Sequence, residues 1–216
     1  EFVARCVAEG ARTVLNLAAG LDTRPYRMDL PADLRWIHVD MPDIVDDFRT
    51  QMAAETPRCR LEFVAADLRE ADVRHRVCAD AATEGPVLVI TEGLLIYLQE
   101  ADVIALARDL HDTARARWWA AELATPQLLK MVERHWAGPL KAGNAPFLFA
   151  PAESTAFFAP FGFREREWRS SWSESFRLKR AMRGAWLWAL LQKLQSAKKR
   201  EAGLRMSGMM LLQSDH

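Results

Sequence analysis

Short apolar runs alternate along this chain with longer stretches in which apolar residues recur every third or fourth position. That alternation predicts strands and helices in turn. An amphipathic opening helix over residues 1–9 is stopped at Gly10, and Val14, Leu15 and Leu17 mark a buried strand over Thr13–Leu17. A short helix is expected over Arg24–Leu30, with Pro25 confining its start and Pro31 its end. Strand two, Arg35–Val39, finishes on Asp40. Pro42 suits the first turn of a helix running to about Glu55, with Asp43, Asp46 and Asp47 near its positive end. A third strand follows at Arg60–Ala65 and a helix from about Glu70 to Ala82. Gly85-Pro86 resets the chain before Val87–Ile90, the most apolar strand, which ends on Thr91-Glu92-Gly93. A helix over Gln99–Ala114 and a strand over Trp118–Leu123 complete the rhythm.

Strands alternating with helices imply an α/β fold with a parallel sheet and helices on both faces. After Ala124 the pattern changes. Gln127–Trp136 reads as helical, and Gly138–Pro151 is irregular, Gly- and Pro-rich, and placed where a lid or substrate wall would sit. The stretch 126–151 is therefore expected as a lid-like insertion in a single domain spanning 1–216. A helix over Ala152–Ala159, a strand over Phe161–Glu167, a long helix over Leu178–Lys199 and a final strand over Ser207–Leu212 follow.

Composition narrows the class. The 216 residues suffice for one α/β domain with a substantial core. With 29 basic and 29 acidic residues, the balance argues for neither a nucleic-acid nor another polyanionic partner. Cys6, Cys59 and Cys78 share no metal-ligand spacing and read as free thiols, so no metal is expected and the compartment is expected to be cytoplasmic. The longest apolar stretch, Ala185–Leu191, falls far short of the roughly twenty residues of a membrane span. Nothing in the pattern reveals an oligomeric state.

The candidate chemistry lies where strands end. Thr13–Arg27 (TVLNLAAGLDTRPYR) reads as buried strand, small-residue turn and helix start, the junction at which open α/β sheets receive ligands. Asp40, Asp67 and Glu92 close successive strands and are expected at the same sheet edge as Gly20. A carboxylate at the end of strand two can accept both hydrogen bonds of a ribose diol. A dinucleotide site would want G-x-G-x-x-G, but the corresponding positions are Ala18, Gly20 and Thr23. A nicotinamide-dependent oxidoreductase therefore fits poorly. S-adenosylmethionine has no phosphate, so a single close-approach glycine can serve it.

Four segments, NLAAGLDTRPYR (Asn16–Arg27), HVDMPDIVDDF (His38–Phe48), AADLRE (Ala65–Glu70) and TEGLLIYLQE (Thr91–Glu100), together resemble the leucine carboxyl methyltransferase family. Within it they are similar to bacterial S-adenosylmethionine-dependent O-methyltransferases of polyketide-type metabolism. The resemblance runs from Thr13 to about Asp112 and is weak beyond, chiefly at FFAPFGF (Phe157–Phe163). It implies a class I methyltransferase (Rossmann-like) sheet of seven strands with the last antiparallel. It also implies that Ala18 and Gly20 line the methionine moiety and that Asp40 holds the ribose, with Met41 among the cofactor-binding positions. Asp67 and Leu68 would recognise adenine, Glu92 would lie beside the methionyl group, and Tyr97 would lie close to the acceptor. Family members usually read Gly-Ala-Gly where this chain has Ala18-Ala19-Gly20, and a negative φ would accommodate the extra methyl. They also carry an amino-terminal helical segment with basic residues that clamp the cofactor's carboxylate; a chain starting at Glu1 is expected to be shortened relative to them.

Methyl transfer needs an oxygen nucleophile held near the methyl carbon. A carboxylate acceptor requires no base, whereas a phenol or alcohol does. His38 is expected to pack in strand two, and His75 and His111 to face solvent from helices; His135 is the one histidine placed to meet an acceptor. Trp186 and Trp188 read foremost as core, with a dimer face or acceptor pocket as alternatives. No catalytic residue is assigned. The expected activity is O-methylation of a small-molecule carboxyl or hydroxyl group, and the alternative is a catalytically silent methyltransferase-like binding module.

Overall fold

A computed structural model describes residues 1–132, 134, 146–182, 184–185 and 196–216. Seven strands form one sheet in the order β3-β2-β1-β4-β5-β7-β6. They are β1 (Thr13–Leu17), β2 (Arg35–Asp40), β3 (Arg60–Ala65), β4 (Val87–Thr91), β5 (Ala116–Ala124), β6 (Phe163–Ser170) and β7 (Ser207–Ser214). The first five pair in parallel, and β7 runs antiparallel to both β5 and β6. The expected antiparallel last strand is therefore present, and it lies inside the sheet rather than at its edge.

Central β1 and β4 are buried along their whole length, which is why they read as continuous apolar runs. Successive side chains feed opposite layers. Leu15, Ile37, Val89 and Trp119 pack with Val77 and Cys78 of α4 (Ala71–Ala81) and with Val103 and Leu106 of α5 (Glu100–Arg108). Val14, Trp36, Leu88 and Trp118 face the other way, onto Phe2, Val3 and Cys6 of α1 (Phe2–Ala8). The strand order reverses at β1, whose neighbours are β2 and β4. A crevice opens there beyond the carboxyl ends of the strands.

Several expected elements differ in detail. The short helix, α2, covers only Arg24–Arg27, and α3 spans Pro42–Gln51 rather than reaching Glu55. The helix expected over Gln99–Ala114 is α-helical only to Arg108 and finishes as a π turn over Asp109–Thr113. A 3-10 segment, Ser154–Phe161, replaces the helix expected over Ala152–Ala159, and β6 starts two residues later than expected and runs to Ser170.

The long helix expected over Leu178–Lys199 is corrected more strongly. A helix over Ser171–Arg177 ends just where that one should begin, and Lys179 adopts φ +56° as the Arg180 amide turns back to the Ser175 carbonyl at 2.7 Å. A left-handed residue after a last helical turn closes a helix. A separate helix covers Ala197–Leu204. Trp186 and Trp188 lie outside the described residues, as do His135 and much of the expected lid; residues 126–132 are helical, as the pattern predicts.

Candidate cofactor and acceptor site

The turn after β1 is built from two left-handed residues, Ala18 at φ +51° and Gly20 at φ +54°. Gly20 meets that requirement without a Cβ, whereas Ala18 adopts it with one, against a cost of roughly 1–2 kcal/mol for an L-residue. The negative φ that would accommodate the extra methyl is thus not the conformation Ala18 adopts. The strain is outweighed by hydrogen bonds that fix the turn on both sides. The Ala19 amide donates to the Val39 carbonyl at 3.1 Å. The Gly20 amide donates to Asp40 Oδ2 at 2.6 Å, and the Met41 amide donates to Asp40 Oδ1 at 2.7 Å. His38, fully buried in β2, donates from Nε2 to the Gly20 carbonyl at 3.1 Å and stacks on Phe48 with centroids 4.8 Å apart. Burial is the dominant effect on its pKa, which it lowers, keeping the ring neutral beneath the turn.

Beyond Gly20 the chain is tied across the switch point. Asp22 accepts from Asn16 Nδ2 at 2.8 Å and from the Arg24 amide at 2.9 Å, and the Arg24 side chain donates both to Asp22 and, at 2.8 Å, to Glu92 Oε1 at the end of β4.

A cavity of about 380 Å³ lies against this turn. Of the expected site residues, Ala18, Asp40, Met41, Asp67, Leu68 and Tyr97 line it. Gly20 and Glu92 do not; Gly20 supports the turn from behind, and Glu92 is held away by Arg24. Leu94, Leu98 and Leu106 join Leu68 in the lining of the cavity, as do the charged Arg69, Arg74 and Asp102. Asp67 is gripped by the Arg69 guanidinium and amide, and those hydrogen bonds hold its carboxyl down at about 2, so it is ionised at neutral pH.

A second cavity, of about 270 Å³, borders the first and shares Leu94 with it. Leu128, Val132, Phe147 and Phe149 supply much of its wall. Tyr97, expected close to the acceptor, belongs to the first cavity and reaches the second through a ring contact with Phe147 at 5.6 Å.

Three site residues were missed by sequence reasoning. Arg74, buried in α4, pairs with Asp109 at 2.6 Å and donates to the Leu68 carbonyl at 3.0 Å, fixing the loop that walls the first cavity. The π turn after α5 carries Asp109. Neither residue announces itself, because a mid-helix Arg and a helix-end Asp read as solvated faces. Glu122, on β5, opens into the second cavity and accepts the Gly93 amide at 3.2 Å. An acid in the otherwise apolar WWAAEL run was a signal available from the sequence. His111 is a different correction: rather than facing solvent, it packs edge-on against Phe163 and donates through Nδ1 to Asp112 at 2.7 Å, away from both cavities. His75 is exposed, as expected.

Among the described residues, no group of three His, Cys, Asp or Glu side chains could hold a metal, and no helix is long and apolar enough to cross a membrane. The three cysteines are free and buried.

Residues 1–111 match the sequence model of the leucine carboxyl methyltransferases. A putative S-adenosyl-L-methionine-dependent methyltransferase of Mycobacterium avium is 39% identical over 100 residues, 45% of this chain and 32% of that protein. The tetracenomycin polyketide synthesis O-methyltransferase TcmP of Streptomyces glaucescens is 39% identical over 89 residues, 41% of this chain and 30% of the relative. The chain thus spans about a third of the length of the curated relatives it matches. Among solved structures, a DUF574-family protein from Streptomyces avermitilis superposes with a TM-score of 0.62 at 20% identity, covering 99% of this chain and 79% of the other. The magnesium protoporphyrin IX methyltransferase of Synechocystis superposes with a TM-score of 0.53 at 16% identity, covering 99% of this chain and 80% of the other, and with the strand order above these likenesses show the fold to be that of the class I methyltransferases.

Proposed function

The chain belongs to the leucine carboxyl methyltransferase family, and from that premise we propose that it binds S-adenosylmethionine in the Ala18–Asp40–Leu68 cavity and methylates an oxygen of a small-molecule acceptor. The observation that carries this reading is the placement of Asp40. Its carboxylate lines the cavity while fixing the turn that contains the only glycine among the three dinucleotide-fingerprint positions. A carboxylate there suits a ribose diol, and a turn without a glycine cradle suits a ligand without phosphate.

The donor set fits that ligand. Asp40 is the ribose acceptor, with Met41 flanking it. Ala18 lines the methionine side, and Gly20 fixes that wall through its amide. Asp67 and the Leu68 backbone meet the adenine edge, and the apolar faces of Leu94, Leu98 and Leu106 suit the flat base. Glu92 stands off the cavity wall, its charge shared with Arg24 beside the turn proposed to receive the methionyl group. The bound sulfonium supplies an electrophilic methyl. The protein's part is to hold the acceptor oxygen in line with it and to exclude water, from which most of the rate follows. The second cavity is the acceptor's place, and Leu128, Val132, Phe147 and Phe149 contribute to its wall; His135, outside the described residues, is the histidine we propose to test for a part in acceptor binding.

We read the chain as one domain working in the cytoplasm, and the buried free thiols agree with a reducing compartment. The acceptor is a small molecule, and no nucleic-acid partner is proposed. Calorimetric titration with S-adenosylmethionine, and with NAD in parallel, tests the cofactor. Binding of the former alone supports the reading, whereas NAD binding or no binding of either overturns it. Incorporation of labelled methyl into metabolite fractions then separates an enzyme from a silent binding module.

A further inference from the structure

At the amino ends of β4 and β5, the opposite end of the strands from the cofactor turn, lies a further cavity of about 310 Å³. Its lining is Ala82, Gly85, Pro86, Arg115, Arg117 and His216. Both arginines reach it through unusual backbone. Arg115 adopts φ +49°, a left-handed conformation that is costly for a residue with a Cβ. Arg117 is the extra residue of a β-bulge: Val87 pairs with Ala116 and Leu88 with Trp118, so no residue of β4 stands opposite it. Bulges re-aim a side chain, and strained backbone is kept where the direction of a side chain matters. The Arg117 guanidinium lies over the Trp118 ring at 4.8 Å, and its Nε is buried without a hydrogen-bond partner. Among the described residues neither arginine is paired with a carboxylate. The acids nearby are taken: Glu84 by Arg60 at 2.7 Å, Glu9 by Arg166 at 2.5 and 2.7 Å, and Asp112 by His111 at 2.7 Å. His216 is held by its Nε2 on the His111 carbonyl at 3.1 Å, which leaves Nδ1 unengaged.

We propose that this cavity binds a small phosphate-bearing anion, held between the Arg115 and Arg117 guanidinium groups with the His216 ring closing one side. Two cations share a space whose lining includes no carboxylate, so an anion entering it replaces no ion pair. The two forked donors come from separate backbone positions and suit a tetrahedral dianion, which offers oxygens in several directions; one fork alone would satisfy a lone carboxylate. The buried Nε of Arg117 gains nothing from solvent and is the donor with most to gain from a ligand oxygen. Ala82, Gly85 and Pro86 give a short organic group something to lie against, and the enclosed volume suits a small ester rather than a polymer. The site is a strand's length, roughly 15 Å, from the Ala18 turn, so neither site blocks the other. The proposal stands apart from the methyltransferase reading.

The test titrates inorganic phosphate, and separately glycerol 3-phosphate, into the full chain at an ionic strength held constant with sodium chloride. Amide NMR shifts report both the place and the affinity. Saturable shifts are expected at Gly85 and over Arg115–Trp118, with or without S-adenosylhomocysteine, and the tighter of the two probes identifies free phosphate or an ester as the source. Arg115→Gln and Arg117→Gln should each weaken the tighter probe by about tenfold, the loss of one charge-assisted contact. Arg76→Gln, which removes an exposed cation of α4 outside the cavity, should change it less than about twofold. Arg117→Lys keeps the charge without the fork and serves should the glutamine variant not fold; it should still weaken binding by about threefold. Four outcomes would overturn the proposal: shifts that never saturate with either probe, shifts centred on Ala19 and Gly20 and abolished by S-adenosylhomocysteine, affinity unchanged in the cavity variants, or an equal loss in Arg76→Gln. S-adenosylhomocysteine binding is read in the same samples, and its absence would count against the cofactor reading while leaving the phosphate result standing.

Discussion

Asp40 and Gly20 stand twenty positions apart, and the carboxylate of one accepts the backbone amide of the other at 2.6 Å across the carboxyl ends of β1 and β2. The same carboxylate also accepts the Met41 amide at 2.7 Å, so its position is set from two directions before any ligand arrives. A group fixed in this way loses little freedom on binding, which is what makes a preorganised contact effective.

Replacing Asp40 by alanine removes the ribose acceptor and frees two amides. S-adenosylhomocysteine affinity should fall by at least tenfold, or about 1.4 kcal/mol, as measured by calorimetry on protein whose circular dichroism is unchanged. An unaltered dissociation constant would take Asp40 out of the ribose site.

Ala18 offers the opposite experiment. At φ +51° its methyl is held in a conformation that glycine adopts freely. Ala18→Gly should stabilise the fold by about 0.5–1 kcal/mol, the relief of strain being offset partly by the extra freedom of glycine in the unfolded chain. The thermal midpoint should rise by about 2–3 °C for a chain of this size. A fall would show that the methyl contributes packing worth more than the strain.

The Arg74–Asp109 pair lies largely out of solvent, and Arg74 also holds the Leu68 carbonyl. Breaking one partner of a largely buried pair leaves a charge uncompensated, so Arg74→Ala should cost about 2–4 kcal/mol. Amide exchange should quicken over Asp67–Glu70, next to the adenine edge of the cavity. The double variant Arg74→Met, Asp109→Leu should recover much of the stability while leaving that loop less protected. Full recovery of both would mean the pair serves stability alone.

Glu122 makes a pH signature. Its folded pKa is raised above the ordinary glutamate value, so its contribution to stability is fully present below the unfolded pKa and is lost as pH rises through the folded one. Glu122→Gln should therefore be more stable than the parent at pH 7, by a shift of about 1–2 °C since the group is open to solvent. The difference should vanish near pH 4. A variant less stable than the parent at pH 7 would mean that the Gly93 hydrogen bond outweighs the cost of the charge.

Much of this was legible because parallel strands buried on both faces must be written as apolar runs. β1 and β3 match the expected bounds, and Asp40 and Asp67 stand at strand ends with their carboxyls on the cavity. What escaped the sequence depends on distance in space. The partnership of Arg74 with Asp109, 35 residues apart, leaves no local trace. The left-handed turn at Ala18 is legible only where glycine marks it. The break after Arg177 was hidden because Lys179 looks like an ordinary helix residue, yet it takes φ +56°. Glu92 was placed on the right edge, but the guanidinium of Arg24 draws it off the cavity wall.

The insertion of β7 between β5 and β6 bears on how the protein can be made. A ribosome delivers residues in order, and β7 emerges after both β5 and β6, yet it occupies the slot between them. Until it arrives, β5 and β6 each hold an unsatisfied edge, and β6 has nothing to join it to the sheet. Helix α1 waits with it, since Glu9 is bound by Arg166 at 2.5 Å and Arg5 is paired with Glu167, both on β6. Helix α1 thus acquires these ion pairs only after β7 has been made, and such long-range closure is slow. A nascent chain stalled before Ser207 would present two open strand edges at once, a state with the features that recruit chaperones.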